Sequence, residues 1–254
     1  MPNWVFNENV FYSTNKDHIK DFHEKLTQWT SKPAMEYKDL IGFVGSRWLG
    51  NILISAGFPF DEVDSRLHGR CRGEVANIGD IDEMILDGKN YSFFTVSTVT
   101  AWERMSRMWL NILKKHYGEN NDIGLAFTSD EESTEFFEMY NPDNIMRLVG
   151  YTGQEKYAVT KYLDVPSNFD FDELDEKTQE LISYLPEDDE KLETEEEVIE
   201  MLSNILQKTI KPEKLDEKLN GYLLECIDIL GNLDFDCSIN IIPITYIKDL
   251  NNEI

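Results

Sequence analysis

The chain has 254 residues, 41% of them hydrophobic and 12% aromatic, with a formal net charge of −25. That apolar content excludes a wholly disordered chain, and the length allows one large core or two small ones. Three cysteines without Cys-x-x-Cys spacing exclude a disulfide framework. No run approaches the ~18 apolar residues of a membrane helix, so a cytoplasmic protein without a secretory leader is expected.

The charge is spread unevenly. Residues 1–127 hold 17 acidic and 14 basic side chains, whereas residues 128–254 hold 32 and 10. The second part should repel nucleic acid and anionic membranes and attract basic surfaces.

In chain order, residues 4–12 alternate loosely and are rich in aromatics, which predicts a first strand. A helix follows over residues 15–30, with Ser13 or Thr14 as its candidate cap. Ile19, Phe22, Leu26 and Trp29 form its apolar stripe. Residues 41–50 are glycine-rich and lead into a helix over residues 48–56, which Pro59 stops. Residues 69–73 are a basic turn. Residues 74–86 and 91–100 read as two strands joined by Asp87-Gly88-Lys89-Asn90, an Asp-Gly hairpin signal. Residues 101–117 read as a helix with Trp102, Met105, Trp109, Ile112 and His116 on one face and Gly118 as its end. A strand over residues 123–128 closes the first part. With the helical insertion set aside, the order β-α-β-β-α-β predicts an α+β, ferredoxin-like split βαβ domain.

Beyond it, residues 145–151 and 156–165 read as strands. Residues 170–200 carry 15 carboxylates against two lysines. Within them, Phe171, Leu174, Leu181, Ile182 and Leu185 make a helical stripe. Thr194 starts a capping-box pattern for a helix to residue 208, with Val198, Met201, Leu202 and Ile205 inward. A helix over residues 213–230 and a strand over residues 237–247 follow; Pro243 marks that strand as an edge candidate. The expected organisation is a ferredoxin-like α+β domain over residues 1–140 and an acidic, mostly helical domain with a few strands over residues 141–254.

The opening Met1-Pro2-Asn3-Trp4, with Asn7 following, resembles the YubB ferredoxin-like family. Val5 stands where that family usually has cysteine. Thr100-Ala101-Trp102 is similar to a second family pattern, although Glu103 replaces its proline. The acidic-aromatic stretch over residues 128–140 is similar in kind, and residues 77–82 stand where the family has a tryptophan-glycine segment. The resemblance covers residues 1–140. It implies a ferredoxin-like domain of phage or plasmid origin, with no established activity and no catalytic residue to carry over.

Signals for catalysis and for metal binding are weak. His18 and His23 are five apart, off the spacing that places two ligands on one helix face. No segment has the layout of a calcium loop, and Glu187-Asp188-Asp189-Glu190 reads as a solvated turn. Gly42, Gly45 and Gly50 lack the Gly-Lys-Ser/Thr of a phosphate loop. Arg66, His68, Arg70, Arg72, Arg104, Arg107, Lys114 and Lys115 form a basic cluster that either binds phosphates or docks on the acidic half. The net charge favours internal docking.

The expectation is therefore a non-enzymatic protein with no cofactor and no metal. Its acidic half would mimic a nucleic-acid backbone, which carries about one charge per 1.7 Å of axis. The partner would be a basic, nucleic-acid-binding host defence protein, such as a CRISPR effector or a restriction enzyme, met in the host cytoplasm. No direct contact with nucleic acid or membrane is expected. The candidate contact residues are Asp170, Asp172, Glu173, Asp175, Glu176, Asp188, Asp189, Glu190, Glu195, Glu196 and Glu197. The alternative is a protein-interaction or assembly module that exposes sheet aromatics such as Phe93 and Phe94, the acidic half serving only solubility.

Overall fold

A computed structural model of the chain describes residues 4–32, 46–59, 73–101, 104–131, 136–164, 179–180, 183–184, 191–212, 215–230 and 236–250. Among them the fold is mixed α+β, with helices and a mainly antiparallel sheet. The chain divides into two compact units. One comprises residues 1–134, 138–153 and 245–254; the other comprises residues 135–137 and 154–244.

In the first unit, β1 (Trp4–Ser13) is the central strand. It pairs antiparallel with β4 (Lys89–Ala101) on one side and β5 (Gly124–Glu131) on the other. β2 (Gly73–Ile78) and β3 (Asp82–Leu86) both pair antiparallel with β4. The neighbour order is β2-β4-β1-β5-β6, where β6 is Phe136–Tyr140. The expected single strand over residues 74–86 is thus two. A register shift between Val75 and Asn77 bends β2, and the chain leaves the ladder after Gly79, whose N–H donates to the Thr95 carbonyl at 2.9 Å, before rejoining it at Asp82. The β3–β4 hairpin turns on Asp87 and Gly88, with φ of 50° and 80°. Positive φ at both central positions defines the mirror-image turn that matches strand twist.

Helices α1 (Lys16–Ser31), α2 (Leu49–Ser55) and α3 (Ser106–Tyr117) carry the apolar residues that meet one face of this sheet. Asn15, rather than Ser13 or Thr14, caps α1: its side chain accepts from the Asp17 N–H at 3.2 Å. Ser13 instead accepts from the Asn15 N–H at 2.9 Å, one step upstream. The expected stripe Ile19, Phe22, Leu26 and Trp29 is buried. Phe11 is the hub, with ring centroids 4.9 Å from Phe22, 5.4 Å from Phe94 and 5.4 Å from Trp109. The helix expected from residue 101 starts at Ser106, because β4 continues to Ala101 opposite Trp4.

Of residues 145–151, read as a strand, 145–149 belong instead to 3-10 structure over Pro142–Val149, which is kinked at Asp143 and Asn144. Pro142 opens it, Gly150 ends it at φ 97°, and Ile145, Met146 and Leu148 are buried. The first unit also includes the chain's return after residue 244. The Ile247 N–H donates to the Met139 carbonyl at 2.8 Å, and Leu250 is buried in the same core as Phe11.

In the second unit, β7 (Tyr157–Asp164) pairs antiparallel with β8 (Lys191–Leu192) and β9 (Asp236–Tyr246). Val198, Leu202 and Ile205 of α4 (Glu195–Leu206) pack with Leu215, Leu223 and Cys226 of α5 (Leu215–Leu230) and with Ile239 and Ile241 of β9. Thr194 caps α4, accepting from the Glu197 N–H at 3.2 Å. The Glu197 carboxylate reaches back to the Glu193 N–H at 2.9 Å, completing the reciprocal cap one residue earlier than the usual pattern.

Candidate functional site

Of the eleven candidate carboxylates, Asp170, Asp172, Glu173, Asp175, Glu176, Asp188, Asp189 and Glu190 lie outside the described residues. So do the stripe residues Phe171, Leu174, Leu181, Ile182 and Leu185. Glu195, Glu196 and Glu197 form the first turn of α4. Negative charge there is favoured by the unpaired N–H groups of the helix start. Glu195 lies 3.9 Å from Lys156, and Glu197 is engaged in the cap. Glu196 and Glu197 are exposed. Local helix chemistry therefore accounts for part of this acidic turn.

The basic cluster divides in a similar way. Arg66, His68, Arg70 and Arg72, with Gly42, Gly45 and Cys71, lie outside the described residues. Arg104 pairs with Glu138 and lies over the Phe127 ring. Lys114 pairs with Glu119 at 2.7 Å, and Lys115 donates to the Gly57 carbonyl and covers Phe58. These cations are spent within the first unit.

The two faces of the β1–β4–β5 sheet differ sharply. Side chains alternate across a strand. On the helix-covered face, Phe11, Phe94 and Leu125 give way along the strands to a buried polar ladder. Asn7 Nδ2 donates to Thr100 Oγ1 at 3.0 Å and to the Val5 carbonyl at 3.2 Å. Ser129 Oγ donates to Asn7 Oδ1 at 2.8 Å. Asn9 Nδ2 donates to the Val96 carbonyl at 3.0 Å. Asn7, Asn9, Thr98, Thr100 and Ser129 are all buried. Apart from the Asn7–Val5 bond within β1, these hydrogen bonds tie β1 to β4 or β5, so the ladder fixes register within the sheet.

The opposite face is open at one end. The 3-10 helix lies at the end that holds Tyr12 and the hairpin: Asp143 sits near Tyr12, and Arg147 pairs with Asp87. At the other end Trp4 and Phe6 are 51% and 50% exposed. Trp4 faces Ala101, and Phe6 faces Val99 on β4 and Asp130 on β5. Glu74 faces Val99, and Glu8 faces Thr128. Burial of the Glu8 carboxyl raises its pKa. Phe93 and Phe94, offered as exposed sheet aromatics, are buried. Their replacements were present in the alternation of β1, where Trp4 and Phe6 take the positions opposite inward-pointing Val5 and Asn7.

A third polar group staples α1 to α3. Tyr117 donates to Asp21 Oδ2 at 2.6 Å, Lys25 pairs with the same oxygen, and Lys25 lies 5.0 Å from the Tyr117 ring centre. Lys25 and Tyr117 together hold the Asp21 carboxyl below its usual range. His18 Nδ1 contacts Asp122 at 2.5 Å beside it. Among the described residues, no three histidine, cysteine or acidic side chains come together to hold a metal ion, and no helix is long and apolar enough to cross a membrane. No family model, curated protein or solved structure matches the chain.

Proposed function

We propose that the chain is a non-enzymatic, acidic binding protein whose partner is a basic, nucleic-acid-binding protein. In the fuller form of this reading it is a phage- or plasmid-borne inhibitor of a host defence protein, a CRISPR effector or a restriction enzyme. The carrying observation is the charge: −25 overall, with 32 carboxylates in residues 128–254. Such a field steers encounter with a Lys/Arg-lined channel and repels nucleic acid itself. The first unit is read as ferredoxin-like, in keeping with the YubB resemblance. Its antiparallel neighbour order β2-β4-β1-β5, with a helix after β1 and another after β4, supports that reading. The helical character of α4 and α5 supports residues 141–254 as an acidic, helix-rich region.

The test is a pull-down from host lysate at low and high salt, followed by reversal of the eleven candidate carboxylates to lysine. A nucleic-acid-binding protein that is retained at low salt and released at high salt is expected. Its capture should be lost in the reversed variant. Equal capture by parent and reversed chain overturns the acidic-mimic reading. The exposed Trp4 and Phe6 favour a second reading, an interaction module that uses the sheet. Salt-insensitive capture would select it.

A further inference from the structure

The open end of the first unit's sheet combines two features. Trp4 and Phe6 stand two residues apart on one strand, so their rings project on the same side about 7 Å apart. Both are half exposed, and the apolar residues paired with them on β4, Val99 and Ala101, are only partly covered, whereas Val10, Phe93 and Ala126 farther along the same face are buried. Large exposed aromatics grouped on a flat strand surface mark contact sites more often than isolated ones do. The second feature is the frame around them. Glu8 and Glu74 occupy the neighbouring register positions on β1 and β2, and Asp130, opposite Phe6 on β5, has one carboxylate oxygen buried. No lysine or arginine occupies these positions on the outward face of the four strands among the described residues. The pattern is an aromatic floor with a carboxylate rim, which complements a cation carried on an apolar stem.

Resting on the reading that the partner is basic, we infer that this face is a docking surface for an arginine-bearing segment of that partner. Guanidinium planes would lie on the Trp4 and Phe6 rings while the rim carboxylates accept their N–H groups. Arginine suits the arrangement better than lysine. Its planar, weakly hydrated head stacks on aromatic faces and presents several donors in one plane. Burial disfavours the charged form of Glu8, and an incoming cation would relieve that cost. The surface is built from residues of the first unit and includes none of the eleven candidate carboxylates.

The probe is a short peptide with alternating glycine and arginine, beside a citrulline peptide of the same length. Each is titrated into the isotopically labelled full chain and followed by amide shifts. Shifts are expected at Trp4, Phe6, Glu8, Val99 and Asp130 with the arginine peptide only. Trp4→Ala with Phe6→Ala should weaken that site by about tenfold, the sum of two exposed cation–π contacts. Glu8→Gln with Glu74→Gln provides a second variant that leaves the rings in place, and it should weaken the site as well. Glu195→Lys, Glu196→Lys and Glu197→Lys together should leave these shifts unchanged. Shifts confined to the second unit overturn the docking surface but leave the basic-partner reading standing. Equal binding of the citrulline peptide at Trp4 and Phe6 assigns the face to an apolar partner and also overturns the inference. So does self-association of the parent that the ring variant abolishes, which would assign the face to a second copy. No binding of the arginine peptide anywhere on the chain removes both proposals.

Discussion

Asn7 occupies an inward position on the central strand, where an aliphatic side chain would normally extend the core. Its amide is satisfied on both sides, accepting from Ser129 and donating to Thr100. Asn7→Ala would leave those two buried hydroxyls short of a partner. The expected loss is about 1–3 kcal/mol in urea unfolding. An unchanged midpoint would show that the ladder is rebuilt without it. Glu8, its neighbour on the other face, makes a prediction in pH. Burial raises its folded-state pKa above the unfolded value. Its contribution to stability is therefore fully present below the unfolded pKa and is lost as pH rises through the folded one. Glu8→Gln should raise the Tm near pH ~7, with the gap closing toward pH ~4. Thermal melts across that range check it. Neither residue stood out in the sequence as structural. An asparagine in a strand reads as a weak strand residue, and only the pairing of β1 with both β4 and β5 reveals what it bonds.

At the level of elements, local rules carried far where the chemistry is local. The Asp87-Gly88 turn, the stripe of α1 and the Thr194 cap of α4 are each set by residues within a few positions of one another. Thr194→Ala should cost about 0.5–2 kcal/mol by removing the acceptor for the Glu197 N–H. The loss should appear as a lower unfolding midpoint and reduced helicity of the second unit. Thr194→Ser should recover most of it. Local rules misled where tertiary pairing decides. The segment 101–105 has helical composition, but Ala101 is held opposite Trp4 and extends the ladder. Ile145, Met146 and Leu148 are dense enough to read as a strand. The preceding Asn141-Pro142-Asp143-Asn144 instead makes a left-handed kink, with φ of 54° and 56° at Asp143 and Asn144, that leads into the 3-10 turn. The turn chemistry was visible in the sequence, but the apolar run outweighed it.

At the level of the whole molecule, electrostatics dominate. A chain at −25 repels itself, and the described ion pairs are mostly exposed and individually weak. Screening should therefore stabilise it. Raising sodium chloride from about 0.02 M to about 0.5 M shortens the Debye length several-fold and should raise the Tm by a few degrees. A fall in Tm instead would mean that favourable pairs outweigh the repulsion. Charge and its imbalance are read directly from composition, so this level was the most legible. The candidate site was less so, because exposure is a property of packing. Trp4 and Phe6 look like core residues until the strand is placed and its far side is found open.

The path of the chain sets an order of assembly. Residues 154–244 are spelled out between the two parts that together form the first unit. A ribosome working at about 5–20 residues per second needs roughly five to twenty seconds for that stretch. Until it is finished, Ile247, which bonds the Met139 carbonyl, and Leu250, a member of the core that holds Phe11, have not been made. Through that interval the N-terminal sheet lacks two side chains of its core, Ile247 and Leu250, and transiently exposed apolar surface of this kind is what chaperones hold.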